Sequence, residues 1–202
     1  MTDSFLSKPL QANGLGLVLA HSAGSNANAP LLVKTAEAFT AAGFFVLRYN
    51  LPFRQRKPFG PPSPATAAQD RDGLRSAVEQ LKEVAPRICM GGHSYGGRQA
   101  SMLAAEAPGL VEALLLLSYP LHPPKKPAQL RTAHFPQLHT PALFVSGTKD
   151  EFGSPSELTA ALELIPAKTR LQIVEGAGHE LLKGAFDPQQ VVAAFLGLIK
   201  PN

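Results

Sequence analysis

The chain has 202 residues, 45% of them hydrophobic and 17% charged, with a formal net charge of +4 and a single cysteine. That length suits one domain over residues 1–202, and the composition is that of an ordinary globular protein with no apolar run near the roughly 20 residues a membrane helix needs. One cysteine excludes an internal disulfide and a Cys-cluster zinc site, and the modest positive charge without a dense Lys/Arg run argues against nucleic acid as a partner.

The first 14 residues, MTDSFLSKPLQANG, lack the charge-then-apolar layout of a secretory signal, so a cytoplasmic, reducing setting is expected. Strand-like apolar runs then alternate with helical patterns. Leu15 to Ala20 is the first strand, followed by a helix on Leu32, Ala36 and Phe39. Phe44 to Arg48 is the second, leading into a proline-rich stretch, 49–65, too broken for a long regular element. Leu74, Val78, Leu81 and Val84 mark the next helix, and Ile88 to Gly92 the third strand, with Cys89 expected in the core.

The fourth strand, Leu114 to Ser118, opens into a second proline-rich stretch, 119–141. The fifth is Ala142 to Ser146 and the sixth Leu171 to Val174. Two late helices carry start signals: Ser154 with Pro155 and Glu157, and Asp187 with Pro188 and Gln190, both laid out as capping boxes with proline at the first helical position. Near-continuous apolar strands, each followed by a helix, predict an α/β fold with a doubly wound, mostly parallel sheet of about six strands. Both proline-rich stretches follow strands, so they should wall a site at the carboxyl edge, where open α/β sheets bind ligands.

At that edge lies MGGHSYGGRQA, residues 90–100, with Gly92 and Gly96 two residues either side of Ser94. A strand that turns at once into a helix strains the residue at its apex and brings flanking backbone close, leaving room only for glycine at those two positions. The turn lifts Ser94 above the sheet at a helix N-terminus, whose free N–H groups suit a developing oxyanion. Asp150 follows the next-to-last strand and His179 the last, which gives the order Ser, Asp, His. Serine needs a base to take its proton; imidazole accepts it near neutral pH, and a carboxylate orients the imidazole. Glu151 is the runner-up acid.

With this G-x-S-x-G elbow, the Ser–Asp–His order and the loop LVLAHSAGS after the first strand, the chain resembles the α/β-hydrolase superfamily. It looks most like compact, lidless members: dienelactone-hydrolase-like proteins and the testis-expressed hydrolase-like family with its bacterial relatives. The resemblance implies an α/β-hydrolase fold without a lid domain; the first 14 residues are too short for the extra antiparallel hairpin of larger relatives, so a trimmed sheet is expected. It implies a serine hydrolase, carboxylesterase-like, acting on a small ester through an acyl-enzyme at Ser94, with Asp150 and His179 completing the triad and the N–H groups of Tyr95 and Ala23 forming the oxyanion hole. No cofactor and no metal are implied; His122, His134 and His139 lack the helical spacing of a metalloprotease motif. Ser22 stands where that family has glycine.

Tyr119 and Arg54, both just after strands, are candidate substrate-binding residues. No acidic residue lies between Glu37 and Asp70 or between Glu112 and Asp150, while Arg48, Arg54, Arg56, Lys57, Lys125, Lys126, Arg131 and Lys149 do. A positive mouth would draw anionic substrates. The competing reading is an interaction protein of the same fold with little or no turnover.

Overall fold

The computed structural model describes residues 4–199. One sheet of seven strands organises it: β1 (Ser4–Ser7), β2 (Leu15–Ala20), β3 (Phe45–Tyr49), β4 (Arg87–His93), β5 (Leu114–Leu117), β6 (Ala142–Gly147) and β7 (Thr169–Val174). Their spatial order is β1-β3-β2-β4-β5-β6-β7, and every pairing is parallel except β1 with β3.

The six strands expected from the apolar runs are all present, within a residue or two at their ends. The seventh, β1, corrects the count. An edge strand of four half-exposed residues carries no apolar run to announce it, yet Ser4 to Ser7 suffices to pair with Tyr49 back to Val46. Its Phe5 ring lies under the Arg48 guanidinium, 5.1 Å from the centroid, an arrangement in which the cation faces the electron-rich ring.

Because side chains alternate across a strand, each central strand feeds two cores. Val18, Met90, Leu114, Leu116 and Phe144 face α3 (Ala67–Lys82), α4 (Tyr95–Glu106) and α5 (Pro155–Leu162). Leu17, Leu19, Leu115, Leu117 and Val145 face the helices of the other side, α1 (Pro30–Ala41) and α6 (Pro188–Ile199). Cys89 is buried in this second core, and burial pushes its thiol up to about 12, so it behaves as a small apolar side chain.

Ser154 caps α5 reciprocally: its Oγ accepts from the Glu157 N–H, and its own N–H donates to the Glu157 carboxylate. At α6, Asp187 Oδ1 accepts from the N–H groups of Gln189 and Gln190, but the return bond of a full capping box is not made. Both proline-rich stretches leave the carboxyl edge of the sheet; the first holds the five-residue α2 (Pro52–Arg56) and the second a single turn at Phe135–Gln137. No helix among the described residues is long and apolar enough to cross a membrane.

Candidate active site

β4 ends at His93 and α4 begins at Tyr95, so Ser94 makes the whole turn. Its backbone sits at φ 52°, ψ −114°, a conformation that L-residues avoid and that the surrounding structure must hold. The glycines give the room required. A Cβ on Gly96 would stand 2.6 Å from the His21 carbonyl oxygen, and one on Gly92 would run into the Ala20 carbonyl oxygen. Backbone from the end of β2 therefore packs directly against the elbow.

The structure brings Ser94, His179 and Asp150 together. Ser94 Oγ donates to His179 Nε2 at 2.8 Å, and His179 Nδ1 donates to the Asp150 carboxylate, 3.0 Å from each oxygen. Asp150 is buried, and its Oδ1 also accepts from the Phe152 N–H, so the carboxylate is fixed before it meets the imidazole. Ser94, 8% exposed, lines a cavity of about 620 Å³ with His179 and Phe152. Such a chain can pass the hydroxyl proton to the imidazole while the carboxylate stabilises the resulting cation. Glu151, next in sequence, is exposed, and the carboxylate that His179 Nδ1 meets is that of Asp150.

Tyr95 and Ala23 both line this cavity. Tyr95 is the first residue of α4, so its N–H has no acceptor inside the helix. Its hydroxyl donates to Asp70 Oδ2 at 2.7 Å, and Asp70 Oδ1 accepts from the Phe53 N–H, tying α4 to α3 and α2 beneath the site. The Ala23 segment is held although Ser22 replaces glycine. The Ser25 N–H donates to the Ser22 carbonyl, the Ser22 and Ser25 hydroxyls pair at 3.0 Å, and His21 Nδ1 donates to the Ser22 carbonyl at 2.8 Å. His21 Nε2 accepts from the Leu51 N–H. Burial holds this imidazole at about 4, against the partial restoring effect of the Ser22 bond, so it stays neutral with Nε2 as the acceptor.

Arg54 and Tyr119 do not reach the cavity. Arg54 is turned inward and buried: its guanidinium donates to the carbonyls of Ser25, Ala23, Lys57 and Gly60. It clamps the loop that carries Ala23 with charge-assisted hydrogen bonds, which are stronger than neutral ones. Tyr119 is 1% exposed, packed at an angle against Phe135 and edge-on against Phe144, and its hydroxyl donates to the Arg131 carbonyl at 2.6 Å. It is core under the second proline-rich stretch, the aromatic having found a hydrogen-bond partner without facing the cavity.

Several neighbours of the site escaped the sequence reading. Phe152 lies over the His179 ring, centroids 4.1 Å apart. His93 is buried and donates from Nε2 to the His179 carbonyl at 3.0 Å, and burial with the adjacent His179 pushes it below its usual pKa. It holds the His179 loop against the elbow. Arg98 and Gln99 line the cavity as well, together with Arg131, one of the basic residues expected at its mouth. A polar residue one turn into a helix carries no pattern that distinguishes it from a solvated one, so only Asp150-type positional signals were legible. Among the described residues, no group of three or more His, Cys, Asp or Glu side chains is placed to hold a metal ion.

The same architecture recurs in solved structures. A dienelactone hydrolase from Anabaena variabilis superposes with a TM-score of 0.73 at 23% identity, covering 98% of this chain and 92% of that one. An α/β serine hydrolase without a lid from Xanthomonas campestris gives 0.74 at 16% identity, covering 99% and 91%. Est1E from Butyrivibrio proteoclasticus, in its complex with ferulic acid, gives 0.74 at 18% identity, covering 98% and 95%. Residues 14–190, which contain β2 to β7, the elbow at Ser94, Asp150 and His179, match the family model described as an alpha/beta hydrolase domain, and the chain therefore belongs to the α/β hydrolase family.

Proposed function

We propose that the protein is a serine hydrolase that cleaves small carboxylic esters through an acyl-enzyme at Ser94. The observation that carries this reading is the unbroken Asp150–His179–Ser94 hydrogen-bond chain opening on a cavity. Ser94 Oγ attacks the ester carbonyl carbon as its proton passes to His179 Nε2. The carbonyl oxygen becomes an oxyanion beside the N–H groups of Tyr95 and Ala23, and removal of one such donor typically costs about 10²–10³ in rate. Collapse breaks the bond to the alkoxy oxygen, which leaves as the alcohol with the proton from His179. Water then gives its proton to His179, attacks the acyl carbon and releases the carboxylic acid, restoring Ser94.

Asp150 holds the Nδ1–H tautomer that leaves Nε2 free to accept, and its buried carboxylate faces the imidazolium formed in each half-reaction. The cavity of about 620 Å³ suits small or accessible esters over long lipids. Ester cleavage also accords with the dienelactone hydrolase among the structural neighbours. A panel of chromogenic esters, thioesters and lactones, run with wild type and Ser94→Ala, tests the proposal. Turnover of at least one ester by wild type only is expected; no turnover of any by a folded wild type would favour the interaction-protein reading instead.

A further inference from the structure

The cavity beside Ser94 has a charged wall. Arg98 and Gln99 stand one turn into α4, and Arg131 enters from the second proline-rich stretch; all three line the cavity. Neither Arg98 nor Arg131 enters an ion pair among the described residues, whereas Arg71 close by is paired with Glu106. The Arg131 guanidinium makes one hydrogen bond, from Nη1 to the Pro120 carbonyl at 3.3 Å.

Two buried N–H donors in this wall lack an acceptor: Arg98 Nε and the amide Nε2 of Gln99. Gln99 is 0% exposed, and its amide orientation is not arbitrary, because Arg71 Nη1 donates to Gln99 Oε1 at 3.1 Å and so places Nε2 on the other side. Buried donors in native proteins are nearly always paired, so two orphans in one cavity wall mark a place built for an acceptor.

The charge around them points the same way. Burial, then Arg98 and Arg71, pushes His134 down to about 4, so it stays neutral beside them. Burial and then the nearby Arg98 lower the Arg131 guanidinium. The single acid lining the cavity, Glu180, follows His179 in sequence and also lines the adjoining hollow with Ser22 and His93. It makes no ion pair with either arginine.

We propose that Arg98, Gln99 and Arg131 form a carboxylate subsite, so that the ester cleaved at Ser94 carries a second, anionic carboxyl group. This rests on the serine-hydrolase reading for the reaction, though not for the binding. A planar carboxylate has two acceptor oxygens for an amide N–H and a guanidinium fork, and charge-assisted bonds of this kind are about twice as strong as neutral ones. Arg98 Nε and Gln99 Nε2 are already withdrawn from solvent, so their pairing with an acceptor loses little hydration.

Two arms test it. The first compares kcat/KM for 4-nitrophenyl butyrate with that for the mono-4-nitrophenyl ester of glutaric acid, which shares the leaving group and adds a terminal carboxylate. Wild type is expected to favour the anionic ester at least tenfold, and Arg98→Met or Arg131→Met to bring the ratio near one. Lys125→Met, on the exposed part of the same stretch, should leave the ratio as in wild type. The second arm measures binding of glutarate itself to Ser94→Ala by calorimetry, expected to saturate and to be lost in the Arg98→Met/Arg131→Met background. Turnover of both esters at equal rates, or a ratio unmoved by the arginine variants, overturns the subsite and leaves the hydrolase intact. Glutarate binding without turnover of either ester keeps the subsite and overturns the hydrolase.

Discussion

Replacing Gly96 by alanine separates a helix residue chosen for propensity from one chosen for space. In an exposed helix interior the change stabilises by about 1 kcal/mol. At Gly96 the new Cβ would meet the His21 carbonyl oxygen at 2.6 Å and the Ala20 carbonyl carbon and oxygen at 2.7 Å, about 0.8 Å inside ordinary contact at the closest. All three atoms are backbone at the end of β2, a strand buried along its length, so the helix must give way. Overpacking of this kind costs about 1–3 kcal/mol, which leaves a net loss of up to about 2 kcal/mol after the helical gain. For a chain of this size that lowers Tm by up to roughly 8 °C, where a gain would follow from propensity alone. The same displacement moves Ser94 and the Tyr95 N–H away from His179 and Ala23, and a shift approaching 1 Å is worth on the order of 10²-fold in rate.

Gly197, exposed in α6, is the internal control. Its Cβ would meet only Arg170 Nη1, at 3.7 Å, so Gly197→Ala should raise Tm by about 2–4 °C. Thermal unfolding of the two variants beside wild type, with ester turnover where the protein is active, makes the comparison. A Gly96→Ala protein as stable as Gly197→Ala and fully active would refute the reasoning about the elbow.

Three further outcomes follow from the site. Ser94→Ala and His179→Ala should each nearly abolish ester turnover and the double variant be scarcely worse, because a proton relay fails as a unit; additive losses measured by kcat would contradict it. Arg54→Met should destabilise by about 3 kcal/mol in urea unfolding, since four loop carbonyls lose a charged donor, and Arg54→Lys should recover little because an ammonium cannot span them. His21 binds a proton only near 4 in the folded chain but near 6.5 in the unfolded one, so its contribution is complete above pH 6.5 and lost as pH falls to about 4. That amounts to about 3 kcal/mol, read as a falling unfolding free energy between pH 7 and pH 4 that is shallower in His21→Asn.

Much of this was legible in the residues because it depends on position along the chain. The apolar runs that became β2, β4, β5 and β6 are buried on both faces, so hydrophobicity alone marks them, and the part-buried β3 and β7 still carry enough apolar residues to show. Ser94, Asp150 and His179 each lie just past a strand, and in a parallel sheet those ends converge on one edge. Direction was the missing quantity. Arg54 and Tyr119 also follow strands, but one folds back onto carbonyls and the other sinks under the 119–141 stretch. The contacts of His93 and Phe152 with His179 join the elbow and the β6 end to the β7 end, which no local pattern records. β1 is held by its edge pairing with β3 and by Arg48 over Phe5, a partnership of residues distant in sequence.

The central claim is that His179 makes the Ser94 hydroxyl nucleophilic, and covalent labelling reads this without any knowledge of the natural substrate. A fluorophosphonate probe at neutral pH should modify the wild-type protein once, with the adduct mapped to Ser94, and should leave Ser94→Ala unmodified. A folded wild-type protein that stays unlabelled, or one labelled at another residue, would contradict the account.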